Sequence, residues 1–296
     1  MHRDSIDDLR KLFVGLDKKV NINGKGRIVP INFDNAATTP PFKRVVKRVL
    51  ETTEYYGSIA RGDGQKSQYC SDLYEECRRY ILKYFNAPEE IYTAIFVGNT
   101  TDGLNKLSNI LINNKEDIVI TTRMEHHSND LPWRNKCDLK YVEVNEDGRI
   151  NINEIEELIE RYKEKVKYIT ITGASNVTGY INDIRKISGL IHKYGGKIIV
   201  DGAQLVPHKK LCMYKKDSLE NIDFLVFSGH KIYAPFGSGA IIGLREDFNN
   251  NLPDTKGGGT VEYVIDNNQL WLNTPEKNEA GTPNLFGAVA IMEAMK

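Results

Sequence analysis

Short apolar runs rich in β-branched residues alternate with helix-period segments along most of this chain, and that alternation restricts its fold more than any other feature. Strand-like runs fall at Ile91–Val97, Asp117–Thr121, Lys140–Val144, Val166–Thr172, Lys197–Val200 and Asp223–Phe227. Several are apolar at successive positions, the pattern of strands buried on both faces. Between them, Ser67–Phe85 carries Tyr69, Leu73, Cys77, Tyr80, Ile81 and Tyr84 at helical spacing. Asn153–Tyr162 opens on an Asn cap, with Glu156 at the capping-box position. Asp183–Tyr194 carries Ile184, Ile187, Leu190 and Ile191 and stops at Gly195-Gly196. This order predicts an α/β fold, a mainly parallel sheet with helices on both faces. Ligands of such sheets bind beyond the carboxyl ends of the strands, so functional residues are expected there.

Charge and cysteine usage narrow the function classes. Lys+Arg and Asp+Glu both number 40 in 296 residues, a formal net charge of zero, which gives no basic field for nucleic acid. Lys209, Lys210, Lys215 and Lys216 are interrupted by Leu, Cys, Met and Tyr and read as a solvated loop face. No apolar stretch reaches the length of a membrane span, and Met1–Asp8 lacks the apolar centre of a signal peptide. A cytoplasmic location is the expectation. None of the four cysteines forms a C-x-x-C pair, which argues against a zinc ribbon or redox motif. Cys70 and Cys77, seven apart on a predicted helix, read as packing residues. Nothing demands disulfides, in keeping with a reducing compartment. Asn249–Gly259 reads as a polar loop. Asn284–Lys296 reads as a helix without a stop signal, so the chain is expected to be a truncated copy of something longer.

Four predicted strand ends carry unusual polar residues. Gly98-Asn99-Thr100-Thr101-Asp102-Gly103 opens a helix, where N–H groups and Thr hydroxyls can seat a phosphate; helix capping is the plainer reading. Glu125-His126-His127-Ser128 places two histidines at adjacent positions, which do not share a face and so do not readily serve one ion. Stacking of an imidazole on a ligand ring, or a satisfied loop histidine, are the alternatives. Asp201, ending the run Lys197–Val200, needs a cationic or hydrogen-bonding partner. A magnesium ligand, a partner for a protonated ring nitrogen and a helix cap all fit. Ser228-Gly229-His230-Lys231 follows Asp223–Phe227, and a lysine there, beside a histidine, suits covalent carbonyl chemistry as a low-pKa amine. Gly237-Ser-Gly239 lacks the spacing of a dinucleotide fingerprint and runs into a β-branched strand.

Taken together these motifs resemble the class V aminotransferases, fold-type I enzymes dependent on pyridoxal 5'-phosphate (PLP), and are most similar to the branch of cysteine desulfurases and selenocysteine lyases. The resemblance runs in order from Asn32-Phe-Asp-Asn-Ala-Ala-Thr38 through Thr100-Thr101, Glu125-His126-His127 with Pro132-Trp133, Ser175-Asn176-Val-Thr-Gly179, Asp201-Gly-Ala-Gln204 and Ser228-Gly-His-Lys231 to Glu279-Ala-Gly-Thr-Pro-Asn284. It implies a fold-type I large domain with a mainly parallel seven-stranded sheet at 31–296, an N-terminal helical arm at 1–30, and a small C-terminal domain absent from this chain. It also implies that Lys231 carries PLP covalently. Asp201 would pair with the pyridinium nitrogen and His126 would stack on the ring. Gln204 would bond the phenolic oxygen, with Asn176 near that oxygen and the substrate carboxylate. Thr101, Ser228 and His230 would hold the phosphate, with Thr100 a further cofactor-binding residue. Thr282 would reach the phosphate of a neighbouring subunit in a homodimer. The implied partners are an amino-acid substrate and a sulfur-acceptor protein, with no metal, nucleic acid or membrane.

Two departures concern the branch. Ile59-Ala60-Arg61-Gly62-Asp63-Gly64 stands where desulfurases show an Arg-Gly flanked by histidines, and neither histidine is here. The family's sulfur-accepting Cys and carboxylate-binding Arg belong to a C-terminal segment beyond Lys296. The expected function is therefore desulfurase-like, taking sulfur from L-cysteine with alanine as co-product and with little activity in the isolated chain. The alternatives are an aminotransferase, a lyase or epimerase on another amino acid, or a non-catalytic PLP-binding or interaction domain.

Overall fold

The computed structural model describes residues 6–24, 26–59 and 62–296. Met1–Ser5 of the N-terminal arm, and Ala60 and Arg61 of the Ile59–Gly64 segment, lie outside the described residues. A short helix α1 (Ile6–Arg10) precedes an exposed ribbon, β1 (Val20–Ile22) paired with β2 (Gly26–Ile28). Two longer helices follow, α2 (Lys43–Thr53) and α3 (Gln65–Tyr84). The alternating section comprises β3 (Tyr92–Val97), α4 (Thr100–Leu111), β4 (Ile118–Thr122), β5 (Asp138–Val142), α5 (Ile152–Tyr162) and β6 (Val166–Thr172). It continues with α6 (Ile184–His192), β7 (Lys197–Asp201), β8 (Phe224–Ser228), β9 (Gly239–Leu244) and α7 (Arg245–Asn250). A second ribbon, β10 (Val261–Ile265) with β11 (Asn268–Trp271), leads to α8 (Leu285–Met295).

Seven strands form the central sheet in the order β3-β9-β8-β7-β6-β4-β5. The run from β8 to β5 is parallel throughout, and β9 is antiparallel to both of its neighbours. This is the mainly parallel seven-stranded sheet that the family resemblance implies. Because β3 opposes β9, it runs in the same direction as β8, so β3, β7 and β8 end on one edge.

Burial on both faces explains the apolar runs. Leu225 and Phe227 of β8 pack with Ile187 and Ile191 of α6 in the larger core. Phe224 and Val226 point the other way, into a core with Leu104 and Leu107 of α4. Each such side chain contributes roughly 1.5–3 kcal/mol on burial. Gly103 lets α4 sit this close, since a Cβ there would lie 2.5 Å from Val226 Cγ1. Helix α6 begins with Asp183 accepting from the Lys186 N–H and ends before Gly195, whose φ of +75° suits glycine.

Three local expectations are corrected. The cap of α5 is Asn151, whose side chain accepts from the N–H groups of Asn153 and Glu154. Asn153 itself is inside the helix, and Glu156 is not at the capping-box position. The buried stripe of α3 is Cys70, Leu73, Tyr74, Cys77, Ile81 and Leu82, while Tyr69 is exposed. The 3.6-residue period was right and the face was rotated. Strand β5 lies two residues earlier than Lys140–Val144, because Asp138 starts its pairing with Ile118. Cys70 and Cys77 are fully buried, as packing residues are.

Candidate active site

The shared strand edge borders a cavity of about 650 Å³. Strand β7 brings Asp201 to its floor, where the side chain is 3% exposed. The carboxylate accepts the Ala203 N–H at 2.9 Å. Burial pushes its pKa up, against that hydrogen bond and the charges of Lys231 and His126. Strand β8 ends at Ser228, and a tight turn Gly229–Lys231 then presents the lysine. The turn needs glycine: a Cβ on Gly229 would lie 2.8 Å from the Ala234 carbonyl oxygen. Burial lowers the Lys231 pKa, and Asp201 opposes the shift. His230 is also lowered, by burial and then by Lys231. Its Nδ1 lies 3.1 Å from Thr38 Oγ1, and its carbonyl accepts from the Thr39 N–H.

Opposite this floor is the start of α4. Asn99 caps the helix by accepting the Asp102 N–H. The Thr100 N–H and hydroxyl both meet Ser228 Oγ, at 2.8 and 2.7 Å, tying α4 to β8. Thr101 Oγ1 lies 2.7 Å from Ser128 Oγ, which lies 2.9 Å from His126 Nδ1. His126 Nδ1 also accepts the Ser128 N–H at 3.1 Å. In the neutral ring this leaves the proton on Nε2. His127 is not on this cavity; it borders the adjoining groove.

Of the ten site residues named from the sequence, all but Thr282 line the cavity. Asn176 does so as an exposed side chain, and Gln204 with its Nε2 donating to the Ala36 carbonyl at 2.8 Å. Thr282 is exposed on a neighbouring cleft of about 290 Å³, with Lys106 and Glu279. Four further residues carry no role in the sequence reading. Asp34 and Ser238 line the cavity, and Ser238 Oγ is buried without a hydrogen-bond partner. Ser128 joins Thr101 to His126, and its place two residues after His126 in a turn was the available signal. Glu125 precedes His126, with Thr122 three residues before it and Asn129 four after it as its side-chain partners.

A cationic amine, a buried carboxylate, an open imidazole and a hydroxyl-rich helix start thus converge on one cavity. The sequence profile of the family described as aminotransferase class V matches residues 31–296. The chain belongs to the class V aminotransferase family. A probable cysteine desulfurase of Borreliella burgdorferi is 37% identical over 99% of this chain and 70% of its own length. One from Staphylococcus aureus (strain N315) is 35% identical, again across 70% of its length. The solved cysteine desulfurase of Thermococcus onnurineus superposes with a TM-score of 0.80 at 31% identity, covering 89% of this chain and 66% of that one. The chain therefore spans about two thirds of the length of these relatives. Class V aminotransferases are PLP-dependent, and the cavity fits that group. It offers an anion seat at the helix start, an orphaned Ser238 hydroxyl, a carboxylate for a ring nitrogen and a lysine of lowered pKa. Among the described residues no group of three His, Cys, Asp or Glu side chains is set to hold a metal, and no helix is long and apolar enough to cross a membrane.

Proposed function

We propose that this chain is the cofactor-binding part of a PLP-dependent cysteine desulfurase, which takes sulfur from L-cysteine and leaves alanine. The observation that carries this reading is the meeting of Lys231 and Asp201, from adjacent parallel strands, with the α4 start in one cavity. Bound there, PLP supplies an electron sink for negative charge developing on the substrate α-carbon. Lys231 would hold the cofactor covalently until the substrate amine displaces it, and the amine so freed, its pKa lowered by burial, would be the base for the substrate α-proton. Asp201 keeps a proton on the pyridine nitrogen. Thr100, Thr101, Ser228 and His230 hold the phosphate, and His126 covers the ring. Gln204 and Asn176 serve the phenolic oxygen, Asn176 also the substrate carboxylate.

None of the four cysteines lines the cavity. Burial pushes Cys77 up to about 12 and Cys137 up to about 11, so neither is a ready thiolate. The sulfur-accepting thiol of the proposed enzyme is therefore a different one, and a sulfur-acceptor protein is its proposed partner. Thr282, exposed and away from its own chain's cavity, supports a homodimer in which it reaches the neighbour's phosphate site. The free cysteines, Cys212 among them exposed, suit a cytoplasmic protein.

Borohydride reduction of the PLP-loaded chain followed by peptide mapping tests the assignment. The pyridoxyl label is expected on Lys231. A label on another lysine, or a folded chain that takes up no PLP, refutes it.

A further inference from the structure

Glu125 is a half-buried acid next to His126, on the wall of the adjoining groove, for which the proposed chemistry has no direct use. Its carboxyl accepts from the Thr122 hydroxyl at 2.7 Å and from the Asn129 side-chain amide at 2.6 Å. The backbone N–H of Thr172, the residue paired with Asp201 across β6 and β7, faces the same carboxyl closely enough to oppose the rise of its pKa. Asn129 in turn is fixed from the other side. Its Oδ1 accepts from Thr170 Oγ1 of β6 at 2.5 Å and from the indole N–H of Trp133 at 3.3 Å, and Asn129 and Trp133 are fully buried. The Asn129 N–H donates to the His126 carbonyl at 2.8 Å. His126 is therefore bracketed. Glu125 anchors the segment to β4 and β6 on one side, and Asn129, held by the same carboxyl, closes the turn on the other.

We propose that Glu125 is a positioning residue that sets the orientation of the His126 imidazole over the cofactor cavity, by holding Thr122 and Asn129, and through Asn129 the strand β6, to one carboxyl group. The inference rests on the reading above that His126 faces the cofactor ring. A network serving stability alone would have no reason to close around the one exposed ring of the segment that lines the cavity. Satisfied buried networks of this kind specify a single arrangement, and losing one member leaves the others unpaired. Burial pushes the Glu125 pKa up to about 8, against the bonds from Thr122, Asn129 and Thr172 and with a further push from Asp201. The shift favours the uncharged acid. In that form it would reverse the bond with Thr122 and donate to Oγ1, which already accepts the Met124 N–H. Glutamine mimics that form, so it is the conservative replacement.

The test compares Glu125→Leu, Glu125→Gln and Thr122→Val with the unaltered chain, by two readouts. Imidazole nitrogen NMR of the PLP-free chain reports whether His126 keeps its proton on Nε2. The PLP dissociation constant and the visible circular dichroism of bound PLP report the ring's setting. In Glu125→Leu the His126 signals are expected to move to those of mixed tautomers, with PLP bound about tenfold more weakly, as for one lost buried hydrogen bond. Glu125→Gln should restore the affinity to within about twofold, because its amide keeps both the donor and the acceptor. A folded Glu125→Leu with unchanged His126 signals and unchanged PLP affinity overturns the proposal, as does a Gln variant no better than Leu. Should Glu125→Leu not fold, Thr122→Val decides: a shift of the same kind, about threefold in affinity, is expected, and none overturns it. If the unaltered chain takes up no PLP, the proposed function fails while the NMR comparison still decides the role of Glu125.

Discussion

Replacing Glu279 by Gln should destabilise this chain more than any surface change, because Glu279 is the hub of a buried ion pair. Arg78 Nη1 and Nη2 reach the two Glu279 oxygens at 2.9 and 3.0 Å, and the side chains are only 5% and 8% exposed. The same carboxylate accepts the Tyr74 hydroxyl at 3.0 Å and the Phe96 N–H at 2.7 Å. Burial alone would lower the Arg78 pKa, but Glu279 outweighs it and holds the guanidinium charged. In Glu279→Gln one oxygen must serve where two did, and an amide NH₂ faces the guanidinium. For a charged partner Arg78 then has only Glu75, whose side chain is 41% exposed, besides its hydrogen bond to the Ala94 carbonyl. Breaking one side of a buried pair costs about 3–5 kcal/mol. The lower end is expected here because Glu75 remains, a fall in melting temperature of roughly 6–12 °C. Thermal unfolding followed by circular dichroism measures this. Arg78→Met and Glu279→Leu should each cost as much alone and less in combination, with a coupling of at least about 2 kcal/mol. A Glu279→Gln loss under about 1 kcal/mol, the scale of an exposed pair, would refute the reasoning.

Two further outcomes follow from the charged groups. Asp201→Asn removes the charge and keeps the shape, so PLP should still bind while α-proton exchange of alanine in deuterated water slows on the order of a thousandfold, about 4 kcal/mol of barrier; near-normal exchange counts against the ring-nitrogen role. At the opposite strand edge, His192 Nε2 meets Asp223 Oδ2 at 2.7 Å and Nδ1 meets the Leu219 carbonyl. Burial alone would lower the His192 pKa, but Asp223 and Leu219 outweigh it and raise it above 6.5. The stability it contributes is then fully present below pH 6.5 and lost as pH rises through the raised folded value. His192→Gln should lower the melting temperature at pH 6 and flatten the fall on the alkaline side of pH 6.5. Parallel melting curves in the two proteins would exclude the ion pair.

What the sequence discloses depends on whether a residue's role is local. The two-face burial of β6, β7 and β8 is written in uninterrupted apolar runs, and it places Asp201 and Lys231 at strand ends without any structure. The cap of α5 is a local feature misread because Asn151 and Asn153 are equivalent by type, and only their geometry separates them. The ribbon Val261–Trp271 leaves little trace in hydrophobic period, since Tyr263, Val264, Ile265 and Leu270 are exposed rather than packed on a core.

The polar framework behind the site is legible least of all, and for a physical reason. Glu125 is joined to Thr122, Asn129 and, through Asn129, to Thr170, while Glu279 is joined to Tyr74, Arg78 and Phe96 about two hundred positions earlier. Each of these residues alone has an ordinary solvated reading. Burial turns that reading around: a carboxyl taken from water must be met by donors from several elements at once. Those elements are the ones that carry the cavity. Glu125 stands at the end of β4 beside His126, and Glu279 opens the segment that presents Thr282. The two acids thus fix the segments on which site residues stand, while Asp201 and Lys231 stand on the sheet and its first turn. A change at Glu279 is therefore expected to act on folding and on the Thr282 segment, one at Glu125 on the His126 ring, and one at Asp201 on chemistry with the fold intact.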